Sequence, residues 1–176
     1  MANVRFIILQ GFFYHLPMKK YFLAALLTFI ASLTFAADSI IGKVVKVADG
    51  DTLTLLTSDK KQVRVRLAGI DCPESGQPWG GNATEALKAV LTGEPVIVEI
   101  TDIDRYGRTV GRVYIKKMNI NRHLVQSGNC WTYTRYAKDK ELSKLQDEAK
   151  EANRGLWRLP EVERMPPWEW RKKNSR

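Results

Sequence analysis

Residues 40–70 read IIGKVVKVADGDTLTLLTSDKKQVRVRLAGI. Ile41, Val45 and Val47 fall on one alternation, Asp49-Gly50-Asp51 punctuates the run, and Thr52–Thr57 resumes it. Ser58-Asp59-Lys60-Lys61 is a polar turn, after which Val63, Val65 and Leu67 alternate against Arg64 and Arg66. A period of two residues between turn signals is the mark of half-buried strands. The stretch is expected to form a three-stranded meander, with Arg66 on the face opposite the valines. Asp-Gly-Asp is also a good turn by itself, because glycine accepts positive φ.

Toward the C-terminus, Asn82-Ala-Thr-Glu85 resembles a capping box ahead of Ala86, Leu87, Val90 and Leu91, with Gly93 as a stop. Val96–Ile100 reads as a strand, Asp104-Arg-Tyr-Gly-Arg108 as a turn, and Val110–Ile115 as the returning strand. Asn119 to Gln126 reads as a short helix ended by Gly128, and Trp131–Tyr133 as extended chain. The longest helix is expected from Lys138 to Asn153, with Leu142, Leu145, Ala149 and Ala152 as its apolar stripe and Gly155 closing it. Five short strands with about three α-helices between and after them fit a mainly β chain with helices (α+β), folded as a small closed barrel of the OB type. The tail 159–176 is basic, carries Trp168 and Trp170 among prolines, and is expected to wrap over the surface or stay loose.

Upstream, Met18-Lys19-Lys20 precedes the apolar run Tyr21–Phe35 and the small residues Ala36 and Ala37. A basic start, an apolar core and a small-residue exit make a secretory signal over 18–36, cleaved after Ala36. The run is short against the ~20 apolar residues of a membrane span; retention as an anchor is the alternative. Residues 1–17 carry no turn or cap pattern and are expected to lie upstream of a true start at Met18. The domain itself is then 37–158. It can bury one core but hardly two.

The chain has 28 Lys+Arg and 19 Asp+Glu, a net charge of +9. Residues 1–36 hold Arg5, Lys19 and Lys20 and no acid, so 25 basic residues against 19 acidic ones, +6, remain beyond them. A basic balance suits an anionic partner, nucleic acid or a membrane surface. Cys72, Cys130, His15 and His123 do not have zinc-site spacing.

Three acidic and basic clusters stand out, and each could be a plain turn: Asp49-Gly50-Asp51-Thr52; Arg66-Leu-Ala-Gly-Ile-Asp71-Cys72-Pro73-Glu74; and Asp104-Arg105-Tyr106-Gly107-Arg108. Together they match one pattern. Residues 40–157 resemble the staphylococcal nuclease family in V-x-D-G-D-T (Val47–Thr52), R-L-x-G-I-D-x-P-E (Arg66–Glu74), D-x-Y-G-R (Asp104–Arg108), N-x-x-L-V-x-x-G (Asn121–Gly128) and the terminal Gly-Leu-Trp157. The resemblance implies an OB-fold barrel and calcium-dependent cleavage of DNA and RNA that leaves 3′-phosphate ends.

It also implies roles. Asp51 and Asp71 would be direct Ca²⁺ ligands, with the backbone carbonyl of Cys72 as a third and Asp49 as an outer acid. Glu74 would hold the attacking water and act as general base. Arg66 and Arg108 would brace the phosphate, and Tyr106, Tyr133 and Tyr136 would line the nucleotide pocket; for Tyr133 and Tyr136 ordinary packing is the equal alternative. The chemistry needs these types. Carboxylates are hard oxygen ligands suited to calcium, and two of them about 4 Å apart repel by about 4 kcal/mol at an effective dielectric of 20, so clustering favours a cation. Guanidinium forks make paired bonds to phosphate that lysine cannot copy. In the implied fold Cys72 and Cys130 come close enough for a disulfide, which an oxidising compartment would preserve.

The expected protein is therefore an exported, periplasmic or secreted, monomeric nuclease without a stable protein partner. Two other readings stay open: a non-catalytic nucleic-acid-binding OB module, and a nuclease processing DNA while anchored by a retained signal.

Overall fold

The computed structural model describes residues 38–137 and 139–174. The expected signal, the Met18 start and the 1–17 extension lie outside them. Among the described residues there are eight strands: β1 (Ser39–Asp49), β2 (Thr52–Thr57), β3 (Gln62–Leu67), β4 (Ile70–Asp71), β5 (Val96–Ile103), β6 (Thr109–Ile115), β7 (Met118–Asn119) and β8 (Trp131–Thr132). The main sheet runs β3-β2-β1-β5-β6-β7, and a parallel pairing of β3 with β6 closes it on itself. The five long strands thus make an OB-fold barrel, with β7 a short extension of β6. Closure leaves the main sheet no open edge along β3, since the backbone of Val65, Arg66 and Leu67 pairs with Thr109, Val110 and Gly111.

The interior is filled by Leu53, Leu55, Val65, Leu67, Val98 and Val113, all buried. The alternation expected in β1 is corrected. Ile41 and Val45 are exposed, whereas Ile40, Val44 and Val47 pack on the core. The register of β1 against β2 slips between Val44 and Lys46, so one extra residue inverts the alternation at that point.

Four α-helices are described: α1 (Gly80–Val90), α2 (Ile120–Gln126), α3 (Lys140–Glu151) and α4 (Pro167–Asn174). The expected capping box is not the start of α1. That helix begins three residues earlier, behind Trp79 at φ 73° with no side-chain cap, and Thr84 Oγ1 donates back to the Gly80 carbonyl at 3.1 Å. A turn prepares this start: Gln77 N–H donates to the Glu74 carbonyl at 2.8 Å, and Gly80 N–H to that of Gln77 at 2.9 Å. In α3, Asp139 is the cap and accepts from Glu141 N–H at 3.1 Å. Leu142, Leu145 and Ala149 are buried, but Ala152 is exposed beyond the helix end, so the stripe is one residue shorter than expected.

Asn121 locks the barrel closure. Its side chain accepts from Val113 N–H at 3.0 Å and donates to the carbonyls of Ala68 and Gly111 at 2.9 and 3.3 Å. Left unpaired in a buried position, these backbone groups would each be costly.

Strand β4 pairs with β8, Ile70 opposite Thr132 and Asp71 opposite Trp131. The next rung of this ladder is Cys72 and Cys130, joined as a disulfide with Cα atoms 4.1 Å apart and 58 positions apart in sequence. Replacing both by serine is expected to cost about 2–4 kcal/mol, the usual effect of freeing so long a loop in the unfolded chain. Denaturant unfolding checks it; an unchanged midpoint would show that the bridge removes no freedom from the unfolded state.

Candidate active site

The carboxylates meet where β1, β2, β3 and β4 converge. The Asp49-Gly50-Asp51 corner joins β1 to β2, and Gly50 is required there by space: an added Cβ would stand 2.8 Å from the Cβ atoms of both Ala83 and Cys72. Its φ is not positive, so close packing of the corner on α1 and the disulfide replaces the turn argument. Asp49 Oδ1 accepts from Asp51 N–H at 3.1 Å, and Leu67 N–H donates to the Asp51 carbonyl at 2.8 Å. Asp51 is thereby fixed facing the end of β3.

Arg66 joins the cluster. Its Nη2 donates to Asp71 Oδ1 at 2.7 Å, and its Nη1 lies against Asp51 Oδ2 as an ion pair. Asp51 also accepts from Cys72 N–H at 2.7 Å and from Thr52 Oγ1 at 3.2 Å. Burial pushes the Asp51 carboxyl up to about 7; Arg66 pulls it down, and the Asp49 and Asp71 charges add to the rise. The Arg66 charge is held firmly: burial disfavours it, but Asp51, Asp71 and Asp49 together raise its pKa above the ordinary value. Glu74 stands at the mouth, partly exposed, on the loop leaving Asp71. Gln77 anchors that loop, its Oε1 accepting from Glu74 N–H at 3.2 Å.

The structure thus brings Asp49, Asp51, Arg66, Asp71, Cys72 and Glu74 together. It does not join Arg108 to them by a direct bond. Arg108 Nε donates to Asp104 Oδ2 at 2.6 Å within the β5–β6 hairpin, and the Asp104 carboxyl is lowered, burial opposing the Arg108 backbone and side-chain bonds that win. The Arg108 guanidinium and that of Arg105 lie over the Tyr106 ring, at 5.6 and 4.8 Å from its centroid, and Tyr106 is exposed. Tyr133 and Tyr136 touch edge-on at 4.9 Å, on the chain following β8.

Sequence reasoning missed three participants. Gln77 is buried and its Nε2 donates to the Met165 carbonyl. Trp168 of α4 stacks on Tyr133. Arg171, also of α4, donates to Asp71 Oδ2 at 2.7 Å and to Glu74 Oε1 at 2.6 Å. Arg171 is 100 positions from Asp71 in sequence, and no local pattern marks it. The tail is therefore ordered on the site, as turns Gly155–Arg158 and Glu161–Glu163 followed by α4.

Among the described residues no group of three or more His, Cys, Asp or Glu side chains is gathered to hold a metal ion. Asp51 and Asp71 offer hard carboxylate oxygens, and the Asp51 carboxyl is raised chiefly by its burial, a cost that an adjacent cation would offset. Two such carboxylates are of the donor type that a hard divalent cation takes.

A family model described as staphylococcal nuclease homologue matches residues 64–159. The chain belongs to that family. It is 41% identical over 155 residues to an "uncharacterized endonuclease" of Escherichia coli O157:H7, covering 88% of this chain and 98% of that one. It is 38% identical over 160 residues to a "micrococcal nuclease" of Shigella flexneri, covering 85% and 90%. An "uncharacterized endonuclease" of Haemophilus influenzae is 37% identical over 133 residues, covering 76% and 74%. Membership of the staphylococcal nuclease family supports nuclease activity on nucleic acids in general. The matched span holds Arg66, Asp71, Glu74 and Arg108, while Asp51 lies upstream of it on the same barrel.

Proposed function

We propose that this protein is an exported, calcium-dependent nuclease that hydrolyses phosphodiester bonds of DNA and RNA and leaves 3′-phosphate ends. The observation that carries the reading is the Asp51–Arg66–Asp71 ion cluster at the barrel end with Glu74 at its mouth. Asp51, Asp71 and the backbone carbonyl of Cys72 would hold the calcium. When bound, calcium supplies positive charge that offsets the concentrated negative charge of the five-coordinate phosphate. Glu74 orients a water and takes its proton. Arg66 and Arg108, each held on carboxylates in the free protein, exchange a carboxylate oxygen for a phosphate oxygen in the complex. Their forks are aimed at charge that grows on the way to the transition state. Tyr106, Tyr133 and Tyr136 offer aromatic faces to bases with little sequence preference.

The Cys72–Cys130 disulfide supports export, because such bridges persist in oxidising compartments. No helix among the described residues is long and apolar enough to cross a membrane.

The deciding experiment incubates the purified chain with DNA and with RNA, in calcium or in a calcium chelator. Cleavage confined to the calcium arm is expected, with product ends that block polymerase extension until a phosphatase is added. Binding without cleavage under every divalent ion would instead identify a nucleic-acid-binding module.

Calcium binding is also expected to release a proton near pH 6 and none near pH 9, since a carboxyl that must ionise to ligate couples binding to pH. Asp51 is the source: its ordinary value is 3.8 and burial pushes it to about 7. In the metal-free protein the same shift gives stability that is fully present below about pH 4 and lost as pH rises through about 7. Calorimetry in buffers of different ionisation enthalpy reads the proton; equal heats at the lower pH would remove Asp51 from this role.

A further inference from the structure

The C-terminal helix α4 lies on the two parts of the site that a substrate complex would use. Its Trp168 ring is stacked on Tyr133, centroids 5.1 Å apart and planes 7° from parallel, and stands edge-on to Trp131 at 6.0 Å. One turn later Arg171 spreads its guanidinium over the carboxylates. Nη2 donates to Asp71 Oδ2 at 2.7 Å, and Nη1 to Asp71 Oδ1 at 3.2 Å and Glu74 Oε1 at 2.6 Å. Positions three apart share one helix face, so the indole and the guanidinium are presented together.

Arg66 and Arg171 between them occupy both oxygens of Asp71, whose side chain is 1% exposed. A cation that ligates Asp71 must displace one of them. Arg66 is built into barrel strand β3 and its side chain is 15% exposed; Arg171 sits on an eight-residue terminal helix and is 44% exposed. So short a helix is not stable in water by itself, and only Pro167 of α4 is buried. Its place therefore rests on docking contacts, among them these and the bond from Gln77 to Met165 just before it. Elements with few buried contacts are the ones that open locally at least cost. Arg171 is the partner that can leave.

We propose that α4 is an internal occupant of the active site, with Arg171 standing in for the cation on Asp71 and Glu74 and Trp168 standing in for a base on Tyr133. The inference rests on the nuclease reading of these residues. The docked helix closes the enzyme, and cation and nucleic acid bind in competition with it. Apparent cation affinity is then reduced by the fraction of molecules in which the helix is docked.

The test uses the full-length chain, wild type and Arg171→Gln, with calcium alone as the probe. Calcium binding is measured by calorimetry, and amide hydrogen exchange of residues 167–174 is followed with and without calcium. We expect Arg171→Gln to bind calcium about tenfold more tightly, because a competing charge-assisted pair is removed. In the wild type, calcium should accelerate exchange in α4 while the barrel strands stay protected. Equal affinities in the two proteins, or α4 exchange in the wild type that ignores calcium, overturn the inference and leave the site standing. Absence of calcium binding in both proteins overturns the site itself and the inference with it. The exchange measurement on the wild type does not depend on how the variant folds.

Discussion

Glu74→Gln is expected to slow phosphodiester hydrolysis by about 10²–10⁴, the usual span for loss of a general base. The substitution keeps the shape of the side chain and its place on the loop held by Gln77. It removes the proton acceptor and one negative charge. Binding of a single-stranded oligonucleotide should survive, because Glu74 contributes no attraction to phosphate. Single-turnover rates under saturating calcium check the first statement and a binding titration the second. Because Glu74 also accepts from Arg171 in the free protein, the measurement must be made with enzyme in excess and calcium saturating, where docking of α4 cannot limit the rate. A variant that cuts at near the wild-type rate would remove Glu74 from the chemistry.

Arg66→Met is expected to destabilise the metal-free fold by about 3–5 kcal/mol, the cost of stranding buried partner charges. Among the described residues Arg66 is the one ionic partner of Asp51, and both groups are largely buried. Asp71 suffers less, since Arg171 remains on it. Saturating calcium should recover part of the loss, because a ligand that binds only the folded state stabilises it. Chemical denaturation with and without calcium reads both terms. A loss that calcium leaves untouched would mean that Arg66 is simply a structural brace and that Asp51 and Asp71 hold no cation.

The two substitutions separate different layers of the site. Glu74 is a loop residue at the mouth, where a change is felt mainly in turnover. Arg66 is on a closing barrel strand, where the same guanidinium that would meet a phosphate also neutralises the carboxylates around which the chain folds. In such a cluster activity and stability cannot be assigned to separate residues, and a variant must be measured for both.

Much of this was written locally in the chain. Period-two alternation in Val63, Val65 and Leu67 placed β3 and turned Arg66 away from the core, because successive side chains on a strand must point to opposite faces. The same rule failed in β1, where the slip against β2 between Val44 and Lys46 put Ile40 and Val44, not Ile41 and Val45, on the core side with Val47. A bulge depends on how two strands curve against each other, so no single-strand pattern reveals it. The Asn82–Glu85 cap failed for a related reason. A cap sequence states a preference of about 0.5–2 kcal/mol, and the turn from Glu74 to Gly80, held by Gln77, decided where the helix began.

The motifs Asp49–Thr52, Arg66–Glu74 and Asp104–Arg108 supplied the candidate residues from sequence, since the residue types themselves carry the charge and hydrogen-bonding chemistry. Tertiary structure decided how they are partnered: Arg66 on Asp51 and Asp71, Arg108 on Asp104, and Cys72 on Cys130 across the β4–β8 ladder. It alone placed Trp168 and Arg171 on the site, 100 residues beyond Asp71 in the case of Arg171. Sequence patterns report the preferences of neighbours along the chain, whereas a contact between distant segments is chosen by the packing and charge of surfaces that exist only once the barrel has closed.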